Sequence, residues 1–82
     1  MAKKTLVGNA LASGSGRNGA GACTVVAAVV GDAILSVIGV SGAEGANDKT
    51  ASFETVVTIN GQVQQTDAAD LSTSSFMFLV RR

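Results

Sequence analysis

Two apolar runs separated by a single polar pair dominate the hydropathy pattern. Residues 23–40 read CTVVAAVVGDAILSVIGV, in which Thr24, Asp32 and Ser36 are the only polar side chains. Along the first run, residues 23–30, Cys23, Val25, Ala27 and Val29 fall on one alternating face and Val26, Ala28 and Val30 on the other. A strand apolar on both faces predicts burial on both sides. The second run, residues 33–40, sets Ile34, Ile38 and Val40 against Leu35 and Val37. Short length, bounding glycines and β-branched content favour strand over helix for both runs. Gly31-Asp32 is a glycine-first pair suited to a type II′ turn, so the two runs are expected to form a central hairpin.

The other segments fall into place around this pair. Residues 3–7 (KKTLV) predict a short strand. Residues 8–22 (GNALASGSGRNGAGA) read as a flexible linker, since glycine loses the most entropy on ordering. Residues 41–50 have turn composition. Residues 52–59 alternate, with Phe53, Thr55, Val57 and Ile59 opposite Glu54, Val56 and Thr58. Asn60-Gly61 then signals a hairpin whose return strand is residues 62–66. A two-residue turn there pairs Val57 with Gln64. A three-residue loop with a left-handed Gly61 pairs Val57 with Val63 and gathers Phe53, Val57 and Val63 on one face, and it is the favoured register. Residues 66–75 form a second polar connection in which Asp67 and Asp70 are placed to cap a helical turn. Residues 76–80 (FMFLV) put Phe76, Phe78 and Val80 opposite Met77 and Leu79, which predicts a strand buried on both sides, central in a sheet or against another subunit.

These elements predict an all-β chain: a small antiparallel sandwich or barrel of five to six strands. The expected organisation is a flexible glycine-rich N-terminal arm over residues 1–22 and a β domain over residues 23–82. An 82-residue chain buries only about 60–65% of its unfolded surface. It holds one cysteine, so no internal disulfide can add to that. It is 46% hydrophobic and 15% charged, the latter well below the usual quarter. That balance leaves apolar surface for a partner, and self-association is expected.

Charge and candidate chemistry narrow the function classes. Net charge is zero, so no global field draws nucleic acid. Four of the six basic residues, Lys3, Lys4, Arg81 and Arg82, mark the two ends, with the acidic residues between. Residues 20–40 have the length of a membrane-spanning helix, but Asp32 near the middle, the glycines and the β-branched content oppose it, and no membrane partner is expected. Met1-Ala2-Lys3-Lys4 is followed by too few apolar residues for a signal peptide. Gly14, Gly16 and Gly19 match G-x-G-x-x-G without the strand, helix and distant acid that a dinucleotide site needs. Asp67 with Asp70, and Glu44 with Asp48, sit in polar loops, where a raised carboxyl pKa for acid–base work is not expected. Cys23 has no histidine anywhere to activate it and reads as a small core residue. No catalytic residue, cofactor or metal is expected. The candidate interface residues are Gln62, Gln64 and Gln65 on a neutral strand edge able to pair with another strand, Phe76 and Phe78 on the last strand, and Arg81 and Arg82 at the end.

Gly31-Asp32-Ala33-Ile34-Leu35-Ser36-Val37, Ser52-Phe53-Glu54, Gln64-Gln65-Thr66 and Asp70-Leu71-Ser72 together resemble small bacteriophage virion proteins that decorate or cement capsids. The resemblance implies an all-β fold without cofactors, assembled as a trimer or another oligomer on a capsid lattice. It implies a non-enzymatic role in the virion, assembled in the host cytoplasm, with a major capsid protein or other virion protein as partner and the glycine-rich arm reaching over capsid subunits. A trimer is the favoured state. The alternatives are a small β adaptor or carbohydrate-binding module with specificity in its loops, and a membrane-embedded coat peptide using residues 20–40 as a helix.

Overall fold

The computed structural model describes residues 8–82; the strand expected over residues 3–7 and the basic pair Lys3-Lys4 lie outside them. The described chain is all-β. Strands β1 (Asn9–Ser15), β2 (Gly21–Val26), β3 (Ala33–Ser41), β4 (Gln62–Gln65) and β5 (Ser75–Arg81) form one antiparallel sheet in the order β3-β5-β1-β2-β4, curled into a half-barrel. A single 3-10 turn, Thr50–Ser52, interrupts the loops.

The concave face holds the core. Phe76, Phe78 and Val80 of β5, Val25 and Cys23 of β2, Val37 and Ile34 of β3 and Val63 of β4 all point into it, with Phe53, Val57 and Leu71 closing over them from the connections. Phe53 meets Phe76 and Phe78 edge-on, at centroid distances of 5.3 and 5.1 Å. Such contacts contribute about 0.5–1.5 kcal/mol each beyond the area they bury. Three phenylalanines are enough to fill one curved face, and that is all the chain provides.

Several expectations change once the strands are paired. The glycine-rich stretch is not a linker over residues 9–15: it is β1, paired with β5 on one side and with β2 on the other. Its one glycine, Gly14, serves close approach. A Cβ on Gly14 would lie 2.3 Å from the Thr24 carbonyl oxygen, so only glycine lets β2 come this near. The hairpin across Gly31-Asp32 does not form. β2 ends at Val26, and residues 27–32 cross from the interior of the sheet to its far edge, where β3 begins. No helix among the described residues is long and apolar enough to cross a membrane, and residues 20–40 contain β2, this crossing and most of β3.

Faces also shift. β2 buries Cys23 and Val25 but exposes Thr24 and Val26, so it is covered on one side only. β5 lies inside the sheet as expected, yet Met77 is exposed and Leu79 half-buried. In β3 a bulge between Ile34 and Ser36 interrupts the alternation, so Val37 and Gly39 turn inward with Ile34 while Ile38 and Val40 face out. One inserted residue reverses every side chain beyond it, which is why strict alternation misplaced Ile38 and Val40.

Residues 52–59 are not a regular strand. Ile59 pairs with Gln62 across a two-residue Asn60-Gly61 turn with Gly61 at φ 77°, in place of the favoured three-residue loop. Beyond that turn the segment leaves β4 and reaches the opposite edge of the sheet. The N–H of Ile34 donates to the Thr55 carbonyl at 2.8 Å, and the N–H of Val57 donates to that of Asp32 at 2.9 Å. Phe53 pairs with Gln65 at the β4 side. The segment therefore spans the open side of the half-barrel and joins its two edges.

The crossing is stapled by the last residue. Asp32 is fully buried, and its Oδ2 accepts the Val29 N–H at 3.1 Å. The Arg82 Nε donates to Asp32 Oδ1 at 3.2 Å and Oδ2 at 3.3 Å, and Arg82 Nη2 donates to the carbonyl of Ala27, which holds a left-handed φ of 74°. A charge-assisted bond to a buried carboxylate is among the stronger kinds. Arg82→Ala is expected to lower unfolding free energy by about 1–3 kcal/mol, while Arg81→Ala, on the exposed side, changes it by less than about 0.5 kcal/mol. Urea unfolding of the two variants side by side checks this; equal stabilities would refute the staple.

Candidate interaction surface

The sheet edges are closed by the chain itself. At β4, the Gln64 N–H donates to Glu54 Oε2 at 2.7 Å and the Glu54 N–H donates back to the Gln64 carbonyl at 2.9 Å. The N–H of Thr66 donates to the Ser52 carbonyl at 2.9 Å. At β3, Gly39 donates to the Asn47 carbonyl and Lys49 to that of Val37, at 2.9 and 2.8 Å. Strand addition needs unpaired backbone groups along an edge, and segments 44–57 already occupy them. The glutamine-bearing strand is therefore not the open edge that its composition predicts.

The expected interface residues are dispersed by the fold. Phe76 and Phe78 lie wholly in the core, and Arg82 is bound to Asp32, so none of the three offers a free surface. Arg81 is exposed at the end of β5. Gln62 and Gln64 are half-buried on the outer side of β4.

Gln65 has the most specific environment of the seven, and it is structural. Its side chain is buried, with Oε1 accepting the Arg17 N–H at 2.9 Å and Nε2 donating to the carbonyls of Asp67 and Ala69 at 2.9 and 3.0 Å. Both amide hydrogens are used. The Cys23 Sγ lies 3.9 Å from the same Oε1. Burial pushes the Cys23 thiol above its ordinary value, and the nearby Arg17 charge only partly opposes this. A protonated, buried thiol is an inert core group.

The carboxylates of the loops are turn-formers. Asp70 Oδ1 accepts from the hydroxyl and the N–H of Ser72, at 2.6 and 3.0 Å. Asp48 does the same for Thr50, at 2.6 and 3.0 Å. Asp67 accepts the Ala69 N–H at 2.9 Å and the Ser52 hydroxyl at 2.9 Å. These are Asx turns, and the expected helical turn capped by Asp67 and Asp70 is absent. Among the described residues no group of three or more His, Cys, Asp or Glu side chains is placed to hold a metal ion.

The feature that sequence reasoning missed is the outer face of the sheet. In the register of β3, β5 and β1, Ser36, Leu79 and Leu11 form one cross-strand row, and Ile38, Met77 and Ser13 form the next, continued by Val26 of β2. Leu35 and Val40 are exposed beside these rows. Leu11, Ser36, Ile38, Met77 and Leu79 line a depression of about 170 Å³. The rows beyond are polar: Ser41, Ser75 and Ser15 on one side, Ala33, Arg81 and Asn9 on the other. Arg81 is the one charged residue in all five strands. The face is thus an uncharged apolar stripe with a hydroxyl row on one side and Arg81 and Asn9 on the other. All three phenylalanines of the chain are buried, so no aromatic ring is exposed to stack on a sugar or a base.

Comparison with known proteins finds no matching family model, no matching curated protein and no matching solved structure.

The Asx turns generate a pH dependence. Hydrogen bonds from Thr50, from Ala69 and Ser52, and from Ser72 hold Asp48, Asp67 and Asp70 below the ordinary carboxylate value. A folded-state pKa below the unfolded value of about 3.9 adds stability that is complete above that value and lost as pH falls through the folded one. Replacing all three by Asn keeps an oxygen acceptor that does not titrate. Urea midpoints measured from neutral pH to well below about pH 4 are expected to fall less steeply for the triple variant than for the wild type; parallel curves would contradict this role.

Proposed function

We propose that this chain is a non-enzymatic structural protein that self-associates and decorates or cements a viral capsid. The observation that carries the reading is the uncharged apolar stripe on the outer face of β3, β5 and β1. The chain spends its aromatic residues on the concave face and closes its own sheet edges, yet leaves aliphatic side chains in contiguous rows on the convex one. Contiguous exposed apolar area is the usual sign of a protein partner. The ionisable groups that structure or burial perturbs all serve turns or core packing, which is the economy of a building block. The capsid setting is supported by the resemblance of residues 31–37, 52–54, 64–66 and 70–72 to decoration proteins. On a lattice, each copy makes weak contacts that add through multivalency, with a major capsid protein or another virion protein beneath.

Two measurements test this. Sedimentation velocity over a micromolar concentration range is expected to show reversible association, and a monomer throughout would refute self-association. In particles purified from a host producing this chain, the chain is expected at a fixed ratio to the major capsid protein; its loss during purification in low and high salt alike would refute the decoration role.

A further inference from the structure

We propose that the outer face of β3, β5 and β1 packs against the same face of a second copy, making a twofold dimer with two sheets face to face. This rests on the self-association reading, names the surface and the partner, and sets two copies in place of the trimer that the resemblance favours.

The area fits. Leu11 is 59% exposed, Leu35 46%, Ile38 39%, Val40 58%, Met77 40% and Val26 71%. These side chains leave roughly 500 Å² of apolar surface open, in the upper part of the range for the largest patch on a monomer. A standard interface takes about 800 Å² from each partner, of which about 65% is apolar in homodimers. The stripe matches that apolar share, and the serine row on one side and Arg81 with Asn9 on the other supply a polar rim.

Charge complementarity selects the occupant. The stripe holds no charged side chain, so an acidic or basic partner surface would be desolvated against it without compensation. It also offers no cluster of cations for an anionic membrane. A second copy presents the same uncharged rows and brings no like charges together within them. Shape agrees: the depression lined by Leu11, Ser36, Ile38, Met77 and Leu79 is about 170 Å³, close to the size of a cavity that holds a benzene ring. It accommodates one aliphatic side chain from the facing copy. With both edges closed, a face contact is also the geometry left to the sheet, and two aligned sheets about 10 Å apart are the ordinary solution to an apolar face. A patch that binds itself closes at two copies.

Sedimentation equilibrium on the full chain tests this with Met77→Lys, Leu11→Lys and, as a control outside the stripe, Val30→Lys. All three positions are exposed, so folding should be little affected. The expected result is a wild-type dimer, a dissociation constant raised at least about 100-fold by either stripe variant, and no change for Val30→Lys. Should Met77→Lys lose its β spectrum, Met77→Gln replaces it, with an expected weakening of about 10-fold. A stripe variant that stays as associated as the wild type overturns the inference and leaves self-association standing. So does a wild-type trimer, or dissociation by Val30→Lys alone. A wild-type monomer overturns both readings.

Discussion

One sheet of five short strands has two faces, and this chain has aromatic side chains for only one of them. The packing of Phe53 against Phe76 and Phe78 decides which face is filled. Two of these rings come from a single strand, β5, so the sheet must curl around it, and the third must be delivered from a connection. That requirement explains the irregular path of residues 52–59. A straight strand there would place Phe53 and Val57 on one alternating face of a hairpin and leave the far edge of the sheet open. Breaking the ladder instead carries Phe53 over the core and brings Thr55 and Val57 to the start of β3.

The same constraint organises the polar groups. Bringing the crossing of residues 27–32 beside the core buries Asp32, and a buried carboxylate must be bonded. The Val29 N–H and the Arg82 guanidinium meet that need, which ties the end of β5 to the crossing. On the other side, Gln65 links the segment at Arg17 to the loop at Asp67 and Ala69 from within the core. These two side chains connect segments far apart in sequence, and neither is free to serve an outside partner.

The all-β class, β3, β5 and the place, though not the length, of the turn at Asn60-Gly61 were legible in the sequence because each is a local signal. Alternation marked Phe76, Phe78 and Val80, and an asparagine–glycine pair needs only its own backbone to make a turn. Non-local features were not legible. Gly14 and Gly16 look like flexibility when read alone and become close packing only when β2 lies beside Gly14 and Leu71 beside Gly16. The bulge after Ile34 leaves no mark in composition, yet it moves Ile38 and Val40 to the outer face. Gln65 reads as a surface residue by type, and nothing nearby in sequence announces the four partners around it. The outer stripe combines all these features, since it is assembled from a strand with the composition of a linker, one rephased by a bulge, and one whose two faces are equally apolar in sequence.

What remains on the convex face is the consequence of filling the concave one. The measurement that probes this most directly is a dilution series followed by methyl NMR. If two copies meet through the stripe, signals of Leu11, Leu35, Ile38, Val40 and Met77 shift with concentration, while those of Val25, Val57 and Val63 in the core stay fixed. Methyl signals of the stripe that do not move, or shifts confined to Val30, Val56 and Ile59, would contradict it.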